Sequence, residues 1–157
     1  MSIAAGNAAQ TGNPVEYPAA YANDLLGVVA VGATTIDRRR APYSSVRSYV
    51  ELAAPGGDCG GGDGDVWQVA PNPPDLTAVP PRFDRYIAWG ICGTSMAAPH
   101  VAGAAALLYS QGITNPAAIE AALRHFAVDL GEPGRDPHFG YGLIDVRATL
   151  RGFGLMH

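Results

Sequence analysis

Eleven consecutive residues, Gly93-Thr94-Ser95-Met96-Ala97-Ala98-Pro99-His100-Val101-Ala102-Gly103, carry the strongest sign of chemistry in this chain. A turn reaches Gly93, and an alanine-rich apolar run starts just after it, so Ser95 falls at the start of a predicted helix. A hydroxyl there has unpaired backbone N–H groups beside it and the positive end of the helix dipole beneath it. Both favour negative charge on a carbonyl oxygen whose carbon the hydroxyl attacks, which is the chemistry of acyl transfer through a serine ester. The same placement also suits a plain helix N-cap, a position that serine commonly fills. Spacing alone leaves both readings open.

The run resembles, almost residue for residue, the nucleophile motif of the subtilisin-like serine proteases, the subtilase family. It does not match the Gly-x-Ser-x-Gly turn of α/β-hydrolases, because Ala97 stands where the second glycine belongs. Further stretches follow in the family's order: Ser2-Ile-Ala-Ala-Gly-Asn7, Tyr17-Pro-Ala-Ala-Tyr21, Val28-Val-Ala-Val-Gly32, Tyr43-Ser-Ser45, Ala54-Pro-Gly56 and Tyr141-Gly-Leu-Ile-Asp145. The resemblance implies that Ser95 is the nucleophile and that Asn7 donates a side-chain hydrogen bond to the oxyanion, beside the Ser95 N–H. It places Ala5, Gly6, Gly93 and Thr94 in substrate binding. An amide suits the Asn7 role because it donates without titrating. The implied fold is α/β, a mainly parallel sheet flanked by helices, incomplete at the N-terminal side. The implied reaction is hydrolysis of a polypeptide through a Ser95 acyl-enzyme. Export from the cell is implied by the same resemblance.

A serine needs a histidine to take its proton and a carboxylate to orient that histidine. In the family these lie in Asp-Thr/Ser-Gly and His-Gly-Thr motifs that precede the oxyanion asparagine. Neither motif occurs in this chain. The chain is therefore expected to correspond to the C-terminal half of a catalytic domain and to lack efficient hydrolysis alone. His100, His125, His138 and His157 read as structural or solvent-exposed, and Asp37, Asp129 and Asp145 have no histidine partner legible in the sequence. One alternative is an inert domain that acts by binding; another is a half that pairs with a separate segment supplying Asp and His. A half-domain should leave a sheet edge and apolar helix faces uncovered, which predicts poor solubility.

Glu16 precedes Tyr17-Pro18, in the segment that helps form the floor of the family's S1 pocket. A carboxylate there favours a basic P1 side chain; a solvated loop glutamate is the competing reading. The family often holds a structural calcium in the Tyr17–Tyr21 loop through carbonyl oxygens, and Asp58, Asp63 and Asp65 offer a second, carboxylate-based candidate. No cofactor is needed for the chemistry. Two cysteines alone fit either free thiols or one disulfide. The family's connection before the nucleophile is shorter than the Gly/Pro-rich segment at about 58–85, read here as an insertion, and a Cys59–Cys92 bridge would tie its base beside Ser95.

The elements that must position these groups are legible in outline. Leu26–Ala33 is a continuous small apolar run, the pattern of a strand buried on both faces. Tyr49–Ala53 and Val66–Val69 read as further strands, and Pro71–Pro81 as a loop. Ser95–Gln111 is a buried helix, Asn115-Pro116 opens a second with Ile119, Ala122, Leu123 and Phe126 inward, and Asp145 caps a last short one. All 157 residues read as part of one domain, with 48% hydrophobic and 15% charged residues, too apolar for a disordered chain. The net charge of −4 argues against a nucleic-acid binder, and the short basic run Arg38-Arg39-Arg40 reads as a solvated turn. No apolar stretch is long enough to cross a membrane.

Overall fold

The computed structural model describes residues 1–71, 79 and 85–154. Three parallel strands, β1 (Ser2–Ala4), β2 (Val29–Thr34) and β3 (Val50–Pro55), form a sheet in sequence order. Ala4 pairs with Val31 and Val31 with Leu52, with a register shift at Ala30/Val31. All six residues of β2 are buried, as its unbroken apolar run requires. Its alternate side chains serve two cores. Val29, Val31 and Ala33 face the long helix α1 (Thr94–Ser110), which contributes Ala97, Val101, Ala104 and Leu108. Val28 and Ala30 instead meet Ala19, Ala20 and Ala22 of a 3₁₀ turn, together with Val50 and Tyr49.

Helix α2 (Pro116–His125) opens as its sequence dictates: the Asn115 side chain accepts from Ala117 N–H at 2.9 Å and Ala118 N–H at 3.3 Å, with Pro116 at the first helical position. Asp145 caps α3 (Val146–Gly152) by accepting from Ala148 N–H at 2.7 Å. The proline-rich run at 72–78 and 80–81 lies outside the described residues, but what flanks it is a two-stranded antiparallel ribbon. There β4 (Val66–Pro71) pairs with β5 (Tyr86–Ile91), from Val66 opposite Ile91 to Pro71 opposite Tyr86. Cys59 and Cys92 are bridged, with α-carbons 5.1 Å apart. The bridge closes the base of the ribbon next to the strand end that leads into Gly93. Removing it by a Cys59→Ser/Cys92→Ser double change is expected to cost about 3–4 kcal/mol, given the 33-residue separation, as read by denaturant unfolding.

A buried ion cluster joins the sheet to α2. The Arg124 guanidinium bridges Glu51 on β3 and Glu120 on its own helix, lies 4.9 Å from the Tyr141 ring centre, and Glu120 also accepts Gly27 N–H at 3.0 Å. One cation serves two buried carboxylates, and burial pushes the Glu51 carboxyl above its ordinary value despite the Arg124 hydrogen bond. The folded state thus holds this proton to higher pH than the unfolded chain does. Glu51's contribution is full below the ordinary carboxylate pKa and is lost as pH climbs through the raised one. Denaturant melts from pH 4 upward should show that decline, and Glu51→Gln should flatten it.

Among the described residues β1 is hydrogen-bonded to a strand on one side, and a groove lined by Ser2, Val29, Val101, Ala105, Ile119 and Leu123 runs between the start of β1 and the helices α1 and α2. Leu26 (90% exposed) and Tyr109 (59%) add apolar surface nearby.

Candidate active site

Ser95 is the second residue of α1, and the N-cap is Gly93, which makes no side-chain cap bond. The capping alternative for Ser95 therefore fails: its hydroxyl is left exposed and is not spent on the helix end. The Ser95 N–H donates to no protein acceptor among the described residues. Pro99 removes the N–H that would otherwise meet the Ser95 carbonyl one turn on.

Asn7 comes to this helix start from the end of β1. Its Oδ1 accepts from both Thr94 N–H and the Thr94 hydroxyl, each at 2.9 Å. A backbone N–H can only donate, so the oxygen must face Thr94 and the NH₂ must point away from it. The Thr94 hydroxyl in turn accepts Gly6 N–H at 3.2 Å, and Ser2 Oγ donates to Ala98 O at 2.8 Å. These bonds tie the end of β1 to the first turn of α1. Gly93 has φ +146°, and a β-carbon there would lie 3.4 Å from Asn7 Nδ2. Any other residue would be strained in that backbone conformation.

The expected substrate-binding residues Ala5, Gly6, Gly93 and Thr94 are all buried, and each has a polar group bonded inside the protein. Gly6 and Gly93 line the turn on either side of Asn7. Ala5 and Thr94 are fully buried, and their polar groups are used inside the protein: Ala5 N–H on Val31 O at 2.9 Å, Ala5 O accepting from Tyr49, Thr94 on Asn7. Glu16 is half-buried and packed against Gly6, and its Oε1 accepts the Ser45 hydroxyl at 3.2 Å.

Tyr43 enters the sequence argument only as part of a matched stretch, yet it holds the nucleophile turn. Its phenol oxygen accepts Gly93 N–H at 3.0 Å and lies 2.8 Å from both Gly56 O and Gly57 O, to either of which it donates. Burial pushes its pKa up to about 12, so it remains a donor at any working pH. No local signal could reveal this contact, since it joins residues fifty positions apart.

Among the described residues the other titratable groups make no hydrogen bond to Ser95. His100 lines a pocket of about 300 Å³ with Ser95, Val66, Gln68, Met96 and Pro99, but its Nδ1 is engaged with Met96 O at 2.8 Å. His125 packs edge-on against Phe126, and His138 lies beside Phe139. His157 lies outside the described residues. Among the described residues no histidine nitrogen is hydrogen-bonded to Ser95. Arg39 pairs with Asp37 at 3.1 Å in an exposed turn, as the basic run suggested.

Both loops considered for a cation use some of their oxygens in hydrogen bonds of their own. Asp65 spends both oxygens on Cys59 N–H (2.9 Å) and Gly61 N–H (3.1 Å), and Asp58 accepts from Ile36 N–H at 3.1 Å. In the other loop, the carbonyls of Glu16, Pro18 and Tyr21 accept N–H groups within the turn. Among the described residues no three His, Cys, Asp or Glu side chains converge on a metal position.

Comparison with known proteins agrees with this geometry. The sequence model of the subtilase family of peptidases matches residues 1–142. The minor extracellular protease Epr of Bacillus subtilis is 37% identical over 152 residues, covering 94% of this chain and 19% of that protein. Subtilisin DY of Bacillus licheniformis is 36% identical over 149 residues, covering 93% of this chain and 44% of its own length. Among solved structures, a lanthipeptide protease superposes with TM-score 0.68 at 31% identity, over 96% of this chain and 49% of that one. Fervidolysin from Fervidobacterium pennivorans, a keratinolytic enzyme related to subtilisin, also gives 0.68 at 31%, over 95% of this chain and 22% of its own. The chain thus spans less than half the length of these relatives. An asparagine and a helix-start serine held together through Thr94, on a parallel α/β sheet with this family match, mean that the chain belongs to the subtilase family of serine-type peptidases.

Proposed function

We propose that this chain carries the nucleophile and oxyanion hole of a serine endopeptidase whose histidine and aspartate come from a segment outside it. The observation that supports this most is the Asn7–Thr94 pairing, which leaves the Asn7 NH₂ and the Ser95 N–H as the two free donors beside an exposed hydroxyl. In this reading Ser95 Oγ attacks the scissile carbonyl, and its proton passes to the supplied histidine and then to the leaving amine. The two donors hold the oxyanion, and water resolves the ester by the same route. Ala5, Gly6, Glu16, Gly93 and Thr94 form the binding site for the polypeptide. The chemistry calls for no cofactor, nucleic acid or membrane, and the enzyme acts after export. The open edge of β1 and the apolar groove beside it are where the supplying segment would pack.

A second reading, an inert binding domain, is favoured by one observation: none of His100, His125 and His138 is bonded to Ser95. Mixing the chain with the N-terminal catalytic segment of a subtilisin relative and assaying a chromogenic peptide separates the two. Hydrolysis by the mixture and by neither part alone is the expected result. A folded, stably associated mixture without hydrolysis would favour the binding domain.

A further inference from the structure

We propose that the cleft between residues 17–24 and 46–49 binds the free carboxylate end of a peptide whose last residue is apolar or aromatic, with Arg47 taking the carboxylate. The cleft holds about 430 Å³, and none of Asn7, Gly93 and Ser95 lines it. The proposal therefore stands apart from the reading of Ser95.

Arg47 brings an unused cation to a fixed place. Its guanidinium makes no ion pair among the described residues, and its Nε is buried without a hydrogen-bond partner. Arg124, by contrast, is met by the carboxylates of Glu51 and Glu120. The backbone that carries Arg47 is held by four hydrogen bonds. Asn13 accepts Val46 N–H at 3.0 Å and donates to Val46 O at 2.7 Å, Arg47 N–H donates to Pro137 O at 3.0 Å, and Val50 N–H donates to Arg47 O at 3.0 Å. A half-buried guanidinium without partners has lost water and gained nothing for it. A carboxylate supplies the missing acceptors and fits the planar fork with two parallel bonds.

The rest of the cleft suits an apolar body. Ala19, Ala20 and Ala22 bury one side of the 3₁₀ turn, which leaves Tyr21 outside, edge-on to Tyr17 with ring centres 5.2 Å apart. Both rings line the cleft together with Val15 and Pro137. The buried Tyr49 lines it too, but its hydroxyl is already spent on Glu16 N–H and Ala5 O. Asp24 is on the same wall, and its charge opposes any ligand carrying several negative charges. These features select a single carboxylate attached to an apolar group, against phosphate or a run of acidic side chains. The C-terminus of a peptide ending in a large apolar residue has both parts. A free amino acid shares the carboxylate but adds an ammonium, so the two sources can be told apart.

The test needs no catalysis. N-acetyl-L-phenylalanine, its neutral amide and free L-phenylalanine are titrated into the chain and followed by ligand-observed NMR. The N-acetyl acid should bind the parent roughly tenfold or more tightly than the amide does. Arg47→Met keeps the stem and removes the charge, so it should bind acid and amide alike. Tyr21→Ala changes a ring that lies outside both cores and leaves the fold intact. It should weaken acid and amide together by about fivefold. Equal affinity of acid and amide in the parent, or an acid preference that survives Arg47→Met, overturns the proposal. So does inorganic phosphate competing as well as the acid, which would mark a bare anion site. Tighter binding of free phenylalanine than of the N-acetyl acid would overturn the peptide end in favour of an amino acid whose ammonium pairs with Asp24. The reverse order supports the peptide end.

Discussion

Changing Ser95 to alanine abolishes peptide hydrolysis by the completed domain, lowering kcat by about 10⁶, the scale of loss subtilisin shows when its own nucleophile is removed. The fold should scarcely notice. Ser95 is exposed, Gly93 rather than Ser95 caps the helix, and alanine is the better helix former at an interior position. The stability change is expected within about 0.5 kcal/mol, as for surface substitutions that break no named contact. Those two readouts together separate a nucleophile from a cap, because a lost cap costs about 1 kcal/mol and touches no rate. Initial rates on a chromogenic peptide and a thermal melt of the same preparation make the comparison.

Replacing Asn7 by alanine has the second-largest effect. The expected loss is about 10²–10³ in kcat, the magnitude subtilisin shows for its oxyanion-hole asparagine, with little change in KM. The split between kcat and KM matters because the NH₂ donates to an oxygen that becomes fully charged only in the transition state. A stability cost accompanies it here. Asn7 Oδ1 is the acceptor for the Thr94 N–H and hydroxyl, and Thr94 is fully buried, so alanine leaves two donors without their partner. About 1–3 kcal/mol should be lost in unfolding. Asn7→Asp separates the terms: it keeps the acceptor, restores most of that stability, and places a negative charge against the oxyanion, so kcat should remain low.

Local patterns made some of this architecture legible before any coordinates. The unbroken apolar run in β2, the Asn115-Pro116 helix start and the Asp145 cap were each readable because the physics acts over a few residues. Boundaries moved by one to three residues: α1 starts at Thr94 rather than Ser95, and β2 starts at Val29 rather than Leu26. β5 was not legible. Tyr86–Ile91 follows a proline-rich stretch and becomes a strand through its pairing with β4, a contact no short window contains. The site shows the same division. The serine motif and the Asn7 stretch are readable from resemblance, but what orients them is tertiary: Thr94 reaches Asn7 across 87 positions, Tyr43 reaches Gly93 across 50, and Ser45 reaches Glu16 across 29.

The central claim is that Ser95 is a nucleophile awaiting a histidine from outside this chain. Intact-mass spectrometry after treatment with a fluorophosphonate probe tests it directly, with the chain alone and with the segment carrying the Asp and His motifs added. The account predicts a single adduct on Ser95 that forms rapidly only in the mixture and is absent from Ser95→Ala. Rapid labelling of Ser95 in the chain alone would contradict the need for an outside base. An adduct on another residue, or none in a stably associated mixture, would contradict the nucleophile itself.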